Sequence, residues 1–446
     1  MGFKKSLYIV QTQNDDGSLI IKNTLTQKII EIGANRIAEY QMLISDPNSG
    51  SRGEMFDLLQ QYGFIVSDDT DETKIAEHIF SNAVYGNNTL ELTILPTNAC
   101  NFDCVYCYQK GTAGFMSEKT MDSILKYVNR NIHNHSGLIV SWFGGEPLLV
   151  KHTVIRMMKE FKKICQANRK PLYSNMTTNG YELDQDTFTE LVKNHVRDFQ
   201  ITIDGPKEIH NKQRPHKTRD DSFEKIISNL LAIKQNNSRM FFRIAVRTNI
   251  STNLSYNIED HVNWLIETFG NDPHFTIVWE TVRDWGGEKI QKHMDLLCSS
   301  LEPYHWMDVL TNNGFVLNKG LEANHMAISL CTASKKNGYT VNYDGNVYKC
   351  TMAIGNPELD RINHIGKINE NGDMEVNLDK MVKWVGRNQV RPDCLSCGHY
   401  PECMGVNCPL ESQIRLKAHK CEEVYGEKYE YLLRNRATTQ LIDRIV

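Results

Sequence analysis

From residue 90 onward two hydrophobic rhythms alternate along the chain. Compact apolar runs of strand length fall at residues 90–95, 138–142, 172–178, 199–204, 241–248 and 275–281. Between them, apolar positions recur at helical spacing over residues 118–132, 153–167, 186–193, 222–234 and 258–269. Six βα units in succession predict an α/β fold with a parallel sheet, open or curled into a partial (β/α)6 TIM-like barrel. Ligands of such sheets collect at the C-terminal ends of the strands, so the residues after each strand carry the functional signal. Before residue 85 the pattern differs. Short apolar runs at 7–10, 19–21 and 29–32 are broken by Asn14-Asp-Asp-Gly17 and Asn23-Thr-Leu-Thr26. Helical spacing follows at 35–43 and 55–62, then an extended Gly63-Phe-Ile-Val66. This predicts a small α+β unit, a three-stranded sheet with two or three helices. After about residue 290 the βα rhythm fades; cysteines, glycines and short turns run to Cys421, ahead of a mixed helical tail.

Composition removes several function classes. The 446 residues are 40% hydrophobic and 23% charged, a globular balance that suits two or three domains. A formal charge of −4 leaves no basic footprint for nucleic acid. No apolar run approaches the roughly 18 residues of a membrane span. Met1-Gly-Phe-Lys-Lys5 lacks the apolar core of a signal peptide, so the expected location is cytoplasmic. In a reducing cytosol the twelve cysteines are better explained by metal or catalysis than by a disulfide framework. Three lie within eight residues near position 100 and seven after 330. Cys165 and Cys298 stand alone and are expected to be buried structural thiols.

Cys100-x3-Cys104-x2-Cys107 directly follows the first strand of the repeat. A structural zinc is normally closed by four protein ligands, and this loop offers no fourth Cys or His. A [4Fe–4S] cluster on three thiolates keeps one iron open for an exogenous ligand. The spacing, with Tyr106 just before the last cysteine, resembles the radical S-adenosylmethionine (SAM) superfamily. The resemblance implies that the open iron takes the amino and carboxylate groups of SAM. A zinc knuckle that borrows a distant ligand is the alternative. Further motifs follow the next strands: Phe143-Gly-Gly-Glu-Pro147, Thr177-Thr-Asn-Gly180 and Thr202-Ile-Asp-Gly205, then His210-Asn-Lys-Gln-Arg214. Each alone reads as an ordinary turn; together they mark four consecutive strand ends. By the resemblance, Gly144, Gly145 and Glu146 receive the methionyl ammonium. Thr178 and Asn179 belong to the same cofactor surface, Thr202 touches the ribose, and Arg214 contacts SAM.

The late cysteines narrow the family. Cys331-x13-Gly345-x4-Cys350 precedes Cys394-x2-Cys397-x5-Cys403-x4-Cys408, with Cys421 behind. This is similar to the SPASM extension of peptide- and protein-modifying radical SAM enzymes, which carries two auxiliary [4Fe–4S] clusters. Two zinc ribbons are the alternative. The gap between Cys403 and Cys408 is one residue longer than is usual in that extension. By analogy Cys394, Cys397, Cys403 and Cys421 hold the distal cluster and Cys331, Cys350 and Cys408 the proximal one. Seven thiols leave one ligand missing, because Thr332-Ala-Ser-Lys-Lys-Asn-Gly338 runs where fully ligated relatives place another cysteine. An open auxiliary iron suits a substrate thiolate and suggests thioether chemistry; an Asp, a His or water are other ways to fill the gap.

The resemblance thus implies three [4Fe–4S] clusters, SAM cleaved to a 5′-deoxyadenosyl radical, and an electron donor such as flavodoxin or ferredoxin. The implied segments are a leader-peptide-recognition-like α+β domain at 1–85, resembling a winged helix, and a radical SAM barrel at 86–290. A bridging region at 291–330, a SPASM domain at 331–425 and a helical tail at 426–446 complete the chain. The expected partner is a ribosomally synthesised precursor peptide, taken as an added strand on the N-terminal sheet. Anaerobic sulfatase-maturating enzymes share the core and extension, but typically lack such an N-terminal unit and carry the eighth cysteine. Trp279-Glu-Thr-Val-Arg-Asp284 ends the sixth strand, where Glu280 and Asp284 are candidate bases and Arg283 a candidate salt-bridge partner.

Overall fold

A computed structural model describes residues 2–49, 52–86, 88–109, 114–237, 239–270, 272–284, 288–298, 306, 309–310, 312–313, 315–317, 331–385, 392–404, 408–410, 426, 429–431, 433–434 and 443–445. The chain divides into two compact units. One unites residues 1–87, 319–331 and 385–446; the other holds 88–318 and 332–384. The cysteine-rich segment expected at 331–425 is therefore shared between the two.

The first unit begins with β1 (Phe3–Lys5) and an antiparallel meander of β2 (Ile9–Gln13), β3 (Leu19–Asn23) and β4 (Lys28–Ile32). Gly17, at φ 85°, makes the β2–β3 turn that its Asn-Asp-Asp-Gly sequence demands. Helices α1 (Ile37–Ser45) and α2 (Glu54–Gln61), strand β5 (Ile65–Ser67) and helix α3 (Glu72–Ser81) follow. Every residue of β3 is buried, because both faces of the meander are covered. Leu19, Ile21, Ile30 and Ile32 pack with Tyr40, Leu43, Phe56 and Leu59, whereas Ile20 and Ile29 pack with Tyr429 and Leu433. Period-two alternation sends neighbouring side chains to opposite faces, which is why Lys22 shares a face with Ile20.

The second unit holds the alternating repeat. Strands β6 (Leu90–Leu95), β7 (Leu138–Trp142), β8 (Leu172–Thr178), β9 (Val196–Thr202), β10 (Arg243–Ile250) and β11 (Phe275–Thr281) lie side by side, all parallel, in sequence order. The crossover helices are α4 (Glu118–Asn131), α5 (Lys151–Ala167), α6 (Gln185–Lys193), α7 (Lys207–Gln213), α8 (Ser222–Asn236), α9 (Thr252–Ser255) and α10 (Ile258–Phe269). Two-residue β12 (Val316–Leu317) extends the sheet beyond β11. At the other side β13 (Gly338–Asn342) adds parallel to β6, and β14 (Asn346–Tyr348), β15 (His364–Ile368) and β16 (Met374–Val376) continue it antiparallel. Among the described residues the sheet has two edges and forms an open, partial barrel. Strand β17 (Asp443–Ile445) belongs to the first unit, where it lies parallel along β4 and makes the meander four-stranded.

Two strands are displaced from their expected places. The fourth starts at Val196 and stops at Thr202, because Gly205 at φ 112° turns the chain where Ile203 and Asp204 read as strand. The fifth runs to Ile250, and its expected first residue, Phe241, is 79% exposed outside it. On β10 Ile244, Val246, Thr248 and Ile250 are buried, whereas Arg247 and Asn249, on the opposite face, are half-exposed. Cys165 and Cys298 are buried, as expected of structural thiols. Among the described residues no helix is long and apolar enough to cross a membrane.

Candidate active site

The site is built from the turns that follow β6 to β9 and from the end of β10. Three backbone bonds tie the cysteine loop to the end of α7 and the segment after it. Asp103 N donates to Pro215 O (2.9 Å), Val105 N to Gln213 O (3.0 Å) and Lys217 N to Asn101 O (2.8 Å). This seam sets Arg214 beside Tyr106. Within the loop Cys107 N donates to Cys104 O (3.2 Å) and Phe102 N to Cys100 Sγ (3.4 Å). Cys104 is buried and the other two thiols are half-buried. Burial pushes the thiols up to about 11 at Cys100 and about 12 at Cys104. Bare, they stay protonated; a cationic body is what draws out their thiolates.

The Gly-Gly-Glu turn leans on this loop. A Cβ on Gly144, whose φ is 122°, would fall on Thr97 O, and one on Gly145 would fall on Ala99 O. Gly145 N donates to Thr97 O (3.1 Å) and Glu146 N to Ala99 O (2.9 Å). The glycine pair thus permits a close approach of two backbones. Its N–H is already used, so what Gly145 has to lend a ligand is its carbonyl. Glu146, 1% exposed, accepts from Leu148 N (2.9 Å), Thr178 Oγ1 (2.7 Å) and Asn179 N (2.7 Å), joining the ends of β7 and β8. Burial outweighs these bonds and raises its carboxyl to about 7. Asn179 Nδ2 reaches Asn101 Oδ1 (2.7 Å) inside the cysteine loop.

The turn after β9 and the end of β10 supply residues that sequence reading misses. Asp204 is fully buried and accepts from the Tyr106 hydroxyl, from Asn249 N (2.9 Å) and from Asn249 Nδ2 (3.1 Å). Arg214 Nη1 donates to Tyr106 Oη (2.6 Å), lies 4.0 Å from Asp204 and stands 5.8 Å over the Phe102 ring. Burial pushes the Asp204 carboxyl up, opposed by Arg214 and by the Tyr106 and Asn249 hydrogen bonds. Arg214 Nε and Asn101 Nδ2 are buried donors with no protein partner among the described residues, the condition of groups that await a ligand. Thr202 ends β9, buried and opposite Arg247 in register. Attention to Thr202 passes over Asp204 in the same motif, and Asn249 lies one residue beyond the expected end of its strand.

The remaining candidates are distributed. Cys350 belongs to the barrel unit, its backbone clamped by Asn363 through Cys350 N to Oδ1 (2.9 Å) and Nδ2 to Cys350 O (2.8 Å). Cys331, Cys394, Cys397, Cys403 and Cys408 belong to the other unit, and Cys421 lies outside the described residues. Trp279 is fully buried; Arg283 Nε donates to Thr281 Oγ1 (3.3 Å) and Asp284 accepts from Gln291 Nε2 (2.8 Å).

The donor set of the first loop is soft thiol sulfur. Among the described residues no three Cys, His, Asp or Glu side chains form a group that would hold a single metal ion. Three thiols on one loop, with no fourth Cys or His in it, suit an iron–sulfur cluster, which three thiolates can hold while one iron stays open to another ligand. The orphan donors beside them fit a polar ligand at that cluster.

Residues 94–252 match the profile of the Radical SAM superfamily. A cysteine-type anaerobic sulfatase-maturating enzyme of Clostridium perfringens (strain 13 / Type A) is 26% identical over 189 residues, 40% of this chain and 48% of that protein. The chain thus spans about half the length of this relative. The radical SAM cyclopropyl synthase TigE of Paramaledivibacter caminithermalis is 20% identical over 448 residues, covering 90% of this chain and 88% of that one. The solved structure of native anSMEcpe with bound AdoMet and Cp18Cys peptide has a TM-score of 0.56 at 18% identity, covering 79% of this chain and all of that one, a likeness of fold. With its three-thiol loop and the strand-end motifs around it, this chain carries a radical SAM domain over residues 94–252.

Proposed function

We propose that this protein is a radical SAM peptide maturase. It binds SAM at a [4Fe–4S] cluster on Cys100, Cys104 and Cys107 and cross-links residues of a ribosomally synthesised precursor peptide, preferably through a Cys thioether. One observation carries the reading: the turns after β7, β8 and β9 and the end of β10 are all hydrogen-bonded to one another or to the loop that carries three thiols. When bound, the cluster and SAM supply a 5′-deoxyadenosyl radical for hydrogen abstraction from unactivated carbon, beyond any side-chain acid or base. The chain's own residues bind and orient. Three of the roughly four acceptor sites of the Glu146 carboxylate are taken, which leaves one for the methionyl ammonium. Arg214 and Asn101 offer the unpaired donors, and Asp204 fixes Tyr106 and Arg214. The buried strand ends exclude water from the reacting atoms.

The thioether preference rests on the seven late thiols, one short of two full clusters. An electron donor of the flavodoxin or ferredoxin class reduces the site. Oxidation of a protein side chain is the second reading, favoured by the sulfatase-maturating relative. The precursor docks on the N-terminal unit. An incoming strand reaches β4 only by taking the place of β17, whose Ile445 O accepts from Gly33 N (2.8 Å). The reading is tested by incubating the reduced protein with SAM and candidate peptides and measuring 5′-deoxyadenosine and peptide mass. A loss of 2 Da with masking of a Cys is the thioether outcome; the same loss with every Cys free excludes it.

Glu146 gives this site a pH signature. Its folded pKa, about 7, lies above its ordinary value. Its contribution to the stability of the unliganded protein is therefore complete below about 4.5 and lost as pH rises through about 7. An ammonium ligand prefers the charged form, so SAM affinity rises between pH 6 and 8 and then levels. Equilibrium binding to Glu146→Gln is expected to be weaker and flat across that window; a wild-type profile in the variant would remove Glu146 from the site.

A further inference from the structure

The N-terminal meander and the late cysteine run share a buried ion pair. Lys22 on β3 and Glu402, the residue before Cys403, have side chains 0% and 1% exposed and are bonded to each other. Glu402 also accepts from Gln27 Nε2 (3.0 Å) and Tyr429 Oη (2.8 Å), with the Lys22 ammonium 5.9 Å over the Tyr429 ring. With both side chains buried, removing either charge leaves the other desolvated beside a lost partner, which is costly. The meander grips the same run at three more points. Thr24 Oγ1 donates to Gly398 O (2.5 Å) and Tyr8 Oη to Leu395 O (3.2 Å), and a Cβ on Gly398 would lie 2.7 Å from Ile9 O. In the run itself Cys397 N donates to Cys394 O (3.1 Å) and Cys403 N to His399 O (2.9 Å), so these contacts fix the turns that present three thiols.

We infer that Lys22 and Glu402 couple occupancy of the Cys394–Cys403 run to the order of the β2–β4 meander, so that the sheet proposed to take the peptide is completed only when the cysteines are loaded. The identity of the load, a [4Fe–4S] cluster, rests on the proposed function; the coupling rests on the contacts. Linkage makes it reciprocal. A group that binds only the ordered run stabilises the meander, and a meander that lacks Lys22 weakens the binding. For a peptide-modifying enzyme this ties substrate docking to the presence of the auxiliary centre.

The test uses the anaerobically reconstituted full chain. Amide hydrogen exchange of β2–β4 is followed by mass spectrometry in wild type and in Cys397→Ala, which removes one exposed thiol and no packing. At least tenfold faster exchange in Cys397→Ala is expected, with β6–β11 unchanged. In the reverse direction Lys22→Met is expected to lose about four irons per chain, one cluster's worth, and to keep the iron of Cys100, Cys104 and Cys107. If Lys22→Met does not fold, Lys22→Met/Glu402→Gln removes both charges, and in it Cys397→Ala should no longer alter meander exchange. Unchanged exchange in Cys397→Ala, or full iron in Lys22→Met, overturns the coupling. Wild-type protein that holds no iron counts instead against the radical SAM reading.

Discussion

Asp204→Ala is expected to lose about 3–5 kcal/mol of stability, the loss typical when one partner of a buried charge pair is removed. Arg214 is 7% exposed, and Asp204 is the carboxylate beside it, 4.0 Å away and joined through the Tyr106 hydroxyl. Without Asp204 the guanidinium loses the carboxylate of its ion pair, and Asn249 loses the acceptor of two hydrogen bonds. Asp204→Asn separates charge from shape. It preserves volume but turns an amide donor toward groups that already donate, so Tyr106 and Arg214 lose their orientation. SAM affinity is expected to fall about tenfold or more, equivalent to about 1.4 kcal/mol or more. Denaturant unfolding of the iron-free chain and equilibrium SAM binding to the reconstituted one check the two effects separately. Wild-type values in both variants would leave Asp204 an ordinary turn residue.

Gly145→Ala is expected to strip the first loop of iron almost completely, although only one methyl group is added. That methyl falls on Ala99 O and beside Asn98 O, where nothing flexible gives way. The two N–H bonds that run from Gly145 and Glu146 to Thr97 and Ala99 hold the same backbones together. The loop must therefore move, and Cys100 moves with it. Overpacking of this sort costs about 1–3 kcal/mol, enough to leave the fold intact while the thiol geometry is spoiled. Gly53→Ala is the matched control, since a Cβ there meets nothing within 4 Å. Iron content and the cluster's visible absorption read the outcome; full iron in Gly145→Ala with normal absorption contradicts this account of the turn.

The barrel was largely legible because its strands are apolar runs bounded by polar turns. Residues 90–95, 138–142, 172–178 and 275–281 read directly as β6, β7, β8 and β11. Where apolar residues continue past a strand end, as Ile203 does, or precede its start, as Phe241 does, periodicity misplaces the boundary. These slips hide Asp204 and Asn249, whose roles depend on which residue closes each strand. Pairing between distant segments leaves no periodic trace at all. Nothing in the sequence singles out Lys22, and only the fold brings Glu402, 380 positions away, against it. The parallel addition of residues 443–445 to β4 is hidden in the same way, in a segment read as a helical tail.

We propose that Cys100, Cys104 and Cys107 hold a cluster at which SAM is cleaved. The most direct test is anaerobic metal and sulfide analysis of the reconstituted protein, joined to 5′-deoxyadenosine measurement after reduction with SAM, for wild type and Cys100→Ala. Roughly a dozen irons per chain, as three [4Fe–4S] clusters require, and nucleoside formation that disappears in Cys100→Ala are the predicted results. About two zincs without iron, or a Cys100→Ala protein that still forms 5′-deoxyadenosine, would contradict the account.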